Sequence, residues 1–210
     1  MPQLHTSCLT LGTELRFTVL FFCLFLFVAI SPSIRASEIP VFQIVPKESS
    51  ITFDVEASLP IKCTFDTWDA SLKFTSPEVT TGVAEVRIQA SSVDTGSSIK
   101  EATLKGTDFF DVDHNPLITF RSTKIIQSGP DTFEVDGDFT IRGVKRSEKL
   151  TLVVSGKETS SGTIKGILYF DRRDYGINTD IPFIKIAHRV EVKVSLIARR
   201  ISGPPVVFRR

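Results

Sequence analysis

The sequence predicts an all-β domain of about eight antiparallel strands with one short helix. Apolar residues alternate with polar ones through most of the chain, the period of a strand with one buried face. Turn-forming residues recur at hairpin spacing: Ser76-Pro77, Ser128-Gly-Pro-Asp131, Ser155-Gly156 and Ser161-Gly162. Only one stretch carries the capping pattern of a helix. A long sheet with one apolar face must cover it, and it can do so as a sandwich or as a closed barrel.

The first 36 residues read separately. Arg16 precedes FTVLFFCLFLFVAI at 17–30, apolar except for Thr18, and Ser31, Pro32, Ser33 and Ala36 follow. A positive residue, a short apolar core and a small-residue exit describe a secretory signal peptide. The run falls short of the ~20 apolar residues of a membrane span; an uncleaved anchor is the other reading. Cleavage is expected after Ala36, with the bond after Ser33 as the alternative. The expected location is therefore periplasmic or secreted. Cys8 and Cys23 fall in this leader, which leaves Cys63 alone and excludes an internal disulfide in the exported domain. Leu20, Phe21 and Phe22 lack the small residues of a lipoprotein processing site ahead of Cys23.

The whole chain of 210 residues carries a formal net charge of +1. The leader removes Arg16, Arg35 and Glu14, so the remainder is close to neutral. That balance lacks the basic excess of a general nucleic-acid binder.

The strands follow in order. Ile51, Phe53, Val55 and Ala57 share a face, then Trp68, Ala70, Leu72 and Phe74, then Ala84, Val86, Ile88 and Ala90. In "GSSIKEATLKGTDFF" Ser97 or Ser98 is the candidate N-cap, and the order Ser98-x-x-Glu101, with Gly106 as a stop, predicts a helix from about Ile99 to Lys105. Ile118 and Phe120 resume the alternation. Phe133 to Ile141, Leu150 to Val154, Ile164 to Phe170 and Val190 to Ala198 complete it. The domain is expected over 37–200, with 201–210, "SGPPVVFRR" from Ser202, as a loose tail.

The polar clusters offer little chemistry. In "DVDHN", Asp111, Asp113 and Asn115 imitate the first ligands of a calcium loop. Pro116 and Ser122 stand where that loop needs glycine and glutamate. His114, His188 and Cys63 lack the paired spacing of a zinc site. No Gly-x-Ser-x-Gly is present, and Cys63 reads as a packing residue rather than a nucleophile. No catalytic residue, metal or cofactor is assigned. "DRRDYG" at 171–176 is either a salt-bridged rim or a polar contact for a ligand headgroup, through Arg172, Arg173 and Asp174.

"LKGTDFFDVDHNPLITFRST" at 104–123 resembles the signature of the YceI-like family of exported lipid-binding proteins, with its leucine, double phenylalanine after aspartate, proline and phenylalanine-serine order. "FDTWDASLKF", "SSVDTG", "VDGDFTIRGVKRSEKLTL" and "DRRDYGI" resemble further family elements in the same order, from about Phe42 to Ala198. Two positions depart from the pattern. Val45 and Glu48 stand where the family often has aspartate and histidine, and Cys63 where glycine is common.

The resemblance implies a single antiparallel eight-stranded lipocalin-like barrel around an isoprenoid, a quinone-like molecule or another amphiphilic lipid. It implies non-catalytic carriage or sequestration, only transient membrane contact, and is compatible with a homodimer. The candidate lumen residues are Phe53, Val55, Trp68, Leu72, Phe74, Val86, Ile88, Phe109, Phe110, Phe120, Phe139, Leu152, Leu168 and Phe170. An enzyme acting on a lipophilic substrate in the same pocket is the first alternative; an interaction module with a filled interior is the second. Alternation alone does not separate an open interior from a filled one.

N-terminal sequencing of protein from its native compartment is expected to begin at Ser37, or at Ile34. An intact Met1 on soluble cytoplasmic protein would overturn the signal-peptide reading.

Overall fold

The structure, a computed structural model, describes residues 39–58, 61–157, 159–180 and 185–209. The leader at 1–36 and both expected cleavage bonds lie outside the described residues. The strands are β1 (Val41–Ile44), β2 (Ser50–Ala57), β3 (Ile61–Phe65), β4 (Trp68–Lys73), β5 (Val83–Gln89) and β6 (Val93–Asp94). After helix α1 (Ser98–Lys105) come β7 (Leu117–Gln127), β8 (Thr132–Ile141), β9 (Val144–Ser155), β10 (Ser161–Asp171) and β11 (Ile186–Ser202). Among the described residues, no helix is long and apolar enough to cross a membrane.

The strands form one curled sheet in the order β4-β5-β7-β8-β9-β10-β11-β2-β3-β6, with β1 added to β11. The strand pairs of this path are all antiparallel. Its two ends are covalently linked. β3 runs into β4 through Asp66 and Thr67, and β5 runs into β6 through a 3-10 turn at Ala90–Ser92. Each couple is therefore one bent strand. The two bent strands pair on both sides of the bend, Trp68 opposite Ile88 and Phe65 opposite Val93. Across the bend Asp66 N donates to Ser92 O (3.1 Å) and Gln89 N to Thr67 O (2.9 Å). Counting each bent strand once, the closed path holds eight strands and β1 adds a ninth; β1 and the β3 arm (Ile61–Phe65) are not among the strands that the alternation predicts. β1 lies beside β4, where Phe42 stacks on Phe74 at 5.7 Å.

Alternation sets the inward face. On β8, Phe133, Val135, Phe139 and Ile141 are buried while the residues between them are half-exposed. Gly137 shares that face, and the Phe120 ring of β7 occupies the space its side chain would fill. Gly166 does the same on β10, where a Cβ would come within 2.5 Å of Leu152 and 2.7 Å of Val194. Arg142 and Gly143, both at positive φ, make the tight turn from β8 to β9.

The 104–123 stretch is a structural corner. Helix α1 begins at Ser98, and Glu101 reaches back to accept from Ser97 N (3.2 Å) and Thr95 N (3.1 Å). The serine half of the expected capping box is absent: Ser97 is the N-cap residue and makes no side-chain cap. After Gly106 the chain folds back, with Phe110 N donating to Leu104 O (2.9 Å) and Asp111 N to Gly106 O (2.9 Å). Asp111 takes φ 50° and its carboxylate binds His114 Nδ1 (2.9 Å) and Asn115 Nδ2 (3.1 Å), a local lock rather than a metal loop. Phe109 and Phe110 are buried, at 7% and 6% exposure.

The carboxy-terminal residues are not loose. β11 continues through Ser202, and Gly203 (φ 78°) turns the chain sharply; a Cβ there would collide with the Ile39 carbonyl. Residues 204–209 then form a strap. Val207 N donates to Pro77 O (2.8 Å) and Val79 N to Val207 O (3.1 Å). Gln127 donates to Arg209 O (2.9 Å) and accepts from Arg209 N (2.7 Å). Phe208 meets Phe133 at 5.9 Å.

Phe110→Ala is expected to lower the unfolding free energy by about 3–5 kcal/mol in urea denaturation, as truncation of a buried phenylalanine does. Asp108→Asn, at an exposed position, is expected to stay within ~0.5 kcal/mol of the parent.

Candidate functional site

The barrel interior is solid at one end and hollow at the other. At the α1 end the rings interlock. Phe139 lies 5.4 Å from Phe170 and 5.8 Å from Tyr175; Phe53 lies 5.0 Å from Phe65, which lies 6.0 Å from Phe110. Tyr175 sends its hydroxyl out of this cluster to Glu148 (2.7 Å), which satisfies the one polar atom of a fully buried ring. Burial and the Glu148 carboxylate both push the phenol's pKa up, so it stays protonated.

Beyond Phe53 and Phe139 the interior opens into a cavity of about 130 Å³. β4, β5 and β7 supply one wall through Leu72, Phe74, Val86, Ile88, Phe120 and Ile125. β8 to β11 supply the other through Phe133, Val135, Leu152, Leu168, Val192 and Leu196, and β2 adds Ile51 and Phe53. The lining is almost wholly apolar. Glu85 touches it from β5, but its carboxylate is held by Arg121 and Lys73. Among the described residues no cluster of histidine, cysteine and acidic side chains could hold a metal.

Of the expected lumen residues, Phe53, Leu72, Phe74, Val86, Ile88, Phe120, Phe139, Leu152 and Leu168 line this cavity. The structure corrects the rest. Phe109, Phe110 and Phe170 belong to the packed core at the solid end, and Val55 and Trp68 pack against that core without reaching the cavity. Alternation tells which face a residue takes, not its height in the barrel. The structure adds Phe133 and Val135, which the alternation places on an inward face, and Ile125, which it does not. On β7 the register shifts between Ser122 and Lys124. This bulge inverts the parity, so that Ile125 follows Ser122 onto the inner face. Ser122, buried at the bulge, accepts from Ala84 N (2.9 Å).

The headgroup assignment is corrected too. Arg172 is 3% exposed, and its donors go to Ile177 O (2.8 Å), Thr179 O (3.1 Å), Ala187 O (3.2 Å) and Asp180 Oδ1 (2.7 Å). It ties the segment after β10 to the start of β11 and has no donor directed at the cavity. Arg173 pairs with Asp171, and that pairing holds the Asp171 carboxyl down at about 2. The support this gives is complete above the ordinary carboxylate range and is lost as the pH falls towards about 2. Neither Arg173 nor the exposed Asp174 lines the cavity.

Cys63, expected from the sequence to be a packing residue rather than a nucleophile, is 3% exposed on β3, opposite Phe53. Burial, reinforced by the Asp54 charge, pushes its thiol up to about 12, and the thiol lies 3.5 Å from Phe53 O. Such a thiol is almost entirely protonated at neutral pH and is a poor nucleophile. His114 is exposed and paired with Asp111, which raises its pKa.

With this geometry established, the chain can be compared with known proteins. The family model described as the YceI-like domain matches residues 42–198. A UPF0312 protein of Azotobacter vinelandii is 26% identical over 123 residues, which cover 56% of this chain and 64% of that relative. A UPF0312 protein of Staphylococcus aureus is 28% identical over 138 residues, 62% of this chain and 78% of that one. Among solved structures, Burkholderia cenocepacia BcnA superposes with a TM-score of 0.68 at 24% identity, covering 74% of this chain and 99% of that one. A domain from Saccharophagus degradans, described as polyisoprenoid binding and implicated in plant cell wall breakdown, gives a TM-score of 0.62 at 16% identity, covering 77% and 99%. At these identities the superpositions speak for the fold. The family match spans nearly all the described residues, and its limits coincide with β1 and the inner part of β11. The chain belongs to the YceI-like family.

Proposed function

We propose that this protein binds the apolar chain of an isoprenoid-like or other amphiphilic lipid in the hollow half of its barrel and carries or sequesters it without chemical change. The observation that carries this reading is the cavity itself. It is bounded mainly by phenylalanine, leucine, isoleucine and valine side chains; among the described residues that line it, the polar ones are Ser71, Glu85 and Thr119, and the Glu85 carboxylate is engaged by Arg121 and Lys73. The description of the Saccharophagus degradans domain as polyisoprenoid binding supports the same ligand class. The signal-peptide pattern supports a site of action in the periplasm or outside the cell.

The size of the cavity limits what it can hold as it stands. An apolar cavity of about 150 Å³ accepts benzene, and this one measures about 130 Å³. It accommodates a group of about five carbons, one isoprene unit. At roughly 0.8 kcal/mol per buried methylene such a unit contributes about 3–4 kcal/mol. Even with no offsetting cost of ordering the ligand, that corresponds to a dissociation constant no tighter than about 1 mM. A longer chain needs more room than the lumen alone provides.

Two measurements test the reading. Organic extraction of protein purified from its native compartment, followed by mass spectrometry, is expected to yield a bound long-chain lipid. Val86→Trp is expected to abolish uptake of a fluorescent isoprenoid while the thermal midpoint stays close to the parent's. If the variant instead loses about 1–3 kcal/mol, the signature of an overpacked core, and no preparation yields lipid, the filled interaction module is the better account. Cys63→Ser is expected to leave uptake intact.

A further inference from the structure

The two ends of the barrel are sealed by different means. The α1 end is sealed by buried rings. The cavity end is sealed by the strap, residues 204–209, none of which is buried. Beneath the strap is an apolar groove of about 90 Å³, lined by Phe42 and Ala198 together with Leu72, Phe74, Val79, Val154 and Ile164. The last five residues also line the cavity, so groove and cavity are adjoining parts of one apolar space. Pro205, Val206 and Phe208 of the strap wall the groove on its outer side.

We infer that the strap closes over the outer half of the binding channel, and that the complete site takes an apolar chain of several isoprene units once the strap is displaced. This rests on the lumen being the lipid site. The strap's chemistry suits the role. Phe208 lies on Phe133, a cavity-lining ring, with Lys157 Nζ 4.8 Å above it. Proline, valine and phenylalanine thus present to the groove the kind of surface that an isoprenoid tail would present. The attachments are reversible. They comprise the two backbone hydrogen bonds of Val207 and the Gln127–Arg209 pair, at half-exposed or exposed positions where water can replace each partner. Gly203 supplies the pivot. Its left-handed conformation and its close approach to Ile39 let the strap leave β11 at a sharp angle, and a side chain there would misdirect it.

The test locks the strap in place. Glu78 and Val207 face each other across an isolated parallel β-bridge, and both are exposed. E78C/V207C is expected to cross-link on oxidation, and the buried Cys63 thiol is out of reach. Two probes are used: benzene, which the cavity holds without the groove, and geranylgeraniol, a chain of four isoprene units that needs both. Benzene is expected to bind the oxidised and reduced forms alike, read by chemical shifts of the lumen methyl groups. Geranylgeraniol is expected to bind the oxidised form at least tenfold more weakly than the reduced form. A chain ending at Ser202 is expected to bind it as tightly as the reduced form, and faster. Oxidised and reduced forms are one protein, so the comparison holds even if the shortened chain fails to fold; Gly203→Ala in the full-length chain is a second route to strap release. Equal affinity of geranylgeraniol for locked and unlocked forms would overturn the inference and leave the lumen reading intact. Benzene binding without geranylgeraniol binding in any form would also overturn it. Failure of both probes in every form would remove the lumen reading, and this inference with it.

Discussion

Phe139 touches Phe53, Phe120, Phe170 and Tyr175, and this nexus of rings divides the interior into a packed half and an open half. A closed sheet of about eight strands has an interior that side chains can just fill or that can hold one small ligand. At the α1 end it is filled by aromatic volume, delivered by the corner after the helix and by the turn that carries Tyr175. At the other end the side chains leave a cavity. Gly137 and Gly166 adjust the boundary. By withholding a side chain, each allows a neighbour (Phe120 in one case, Leu152 and Val194 in the other) to settle against the wall. The packed half holds the strands in register, and the hollow half inherits its shape from them.

The same division explains what could be read from the sequence. The long strands and the helix follow from period-two alternation, turn residues and the capping pattern, whereas the short strands β1, β3 and β6 carry too few alternating residues to be read. On the strands that the alternation marks, the identity of the inward residues was also legible except at Ile125, where a bulge changes parity without leaving a distinctive residue behind; Ile61, Cys63 and Phe65 on β3 and Val79 before β5 lay outside the marked strands. The height of each residue in the barrel was not legible. Phe170 and Leu168 sit two residues apart on the same face of β10, yet one belongs to the ring cluster and the other to the cavity wall. Arg172 shows the converse. Its neighbours made the segment look like a solvent-facing rim, whereas the guanidinium is consumed by backbone carbonyls that only the tertiary fold brings within reach.

Joining the ends of the sheet through bent strands also manages its edges. A free strand edge invites pairing with another chain. Here β3–β4 and β5–β6 pair around a bend where Asp66, Thr67, Gln89 and Ser92 exchange hydrogen bonds. The strand pairing of β2 stops at Ala57 and Ser50, and β1 takes up the position alongside β4. The strap adds one further bridge, at Glu78 and Val207, to the link between β4 and β5.

Cys63 gives the packed half a built-in reporter. Its thiol lies between β2 and the ring cluster, protonated and shielded, so an alkylating reagent can reach it only when that half opens. The labelling rate therefore measures the breathing of the solid end, separately from motions at the cavity mouth. In an oxidising compartment the same seclusion keeps a lone thiol from bridging two chains once folding is complete.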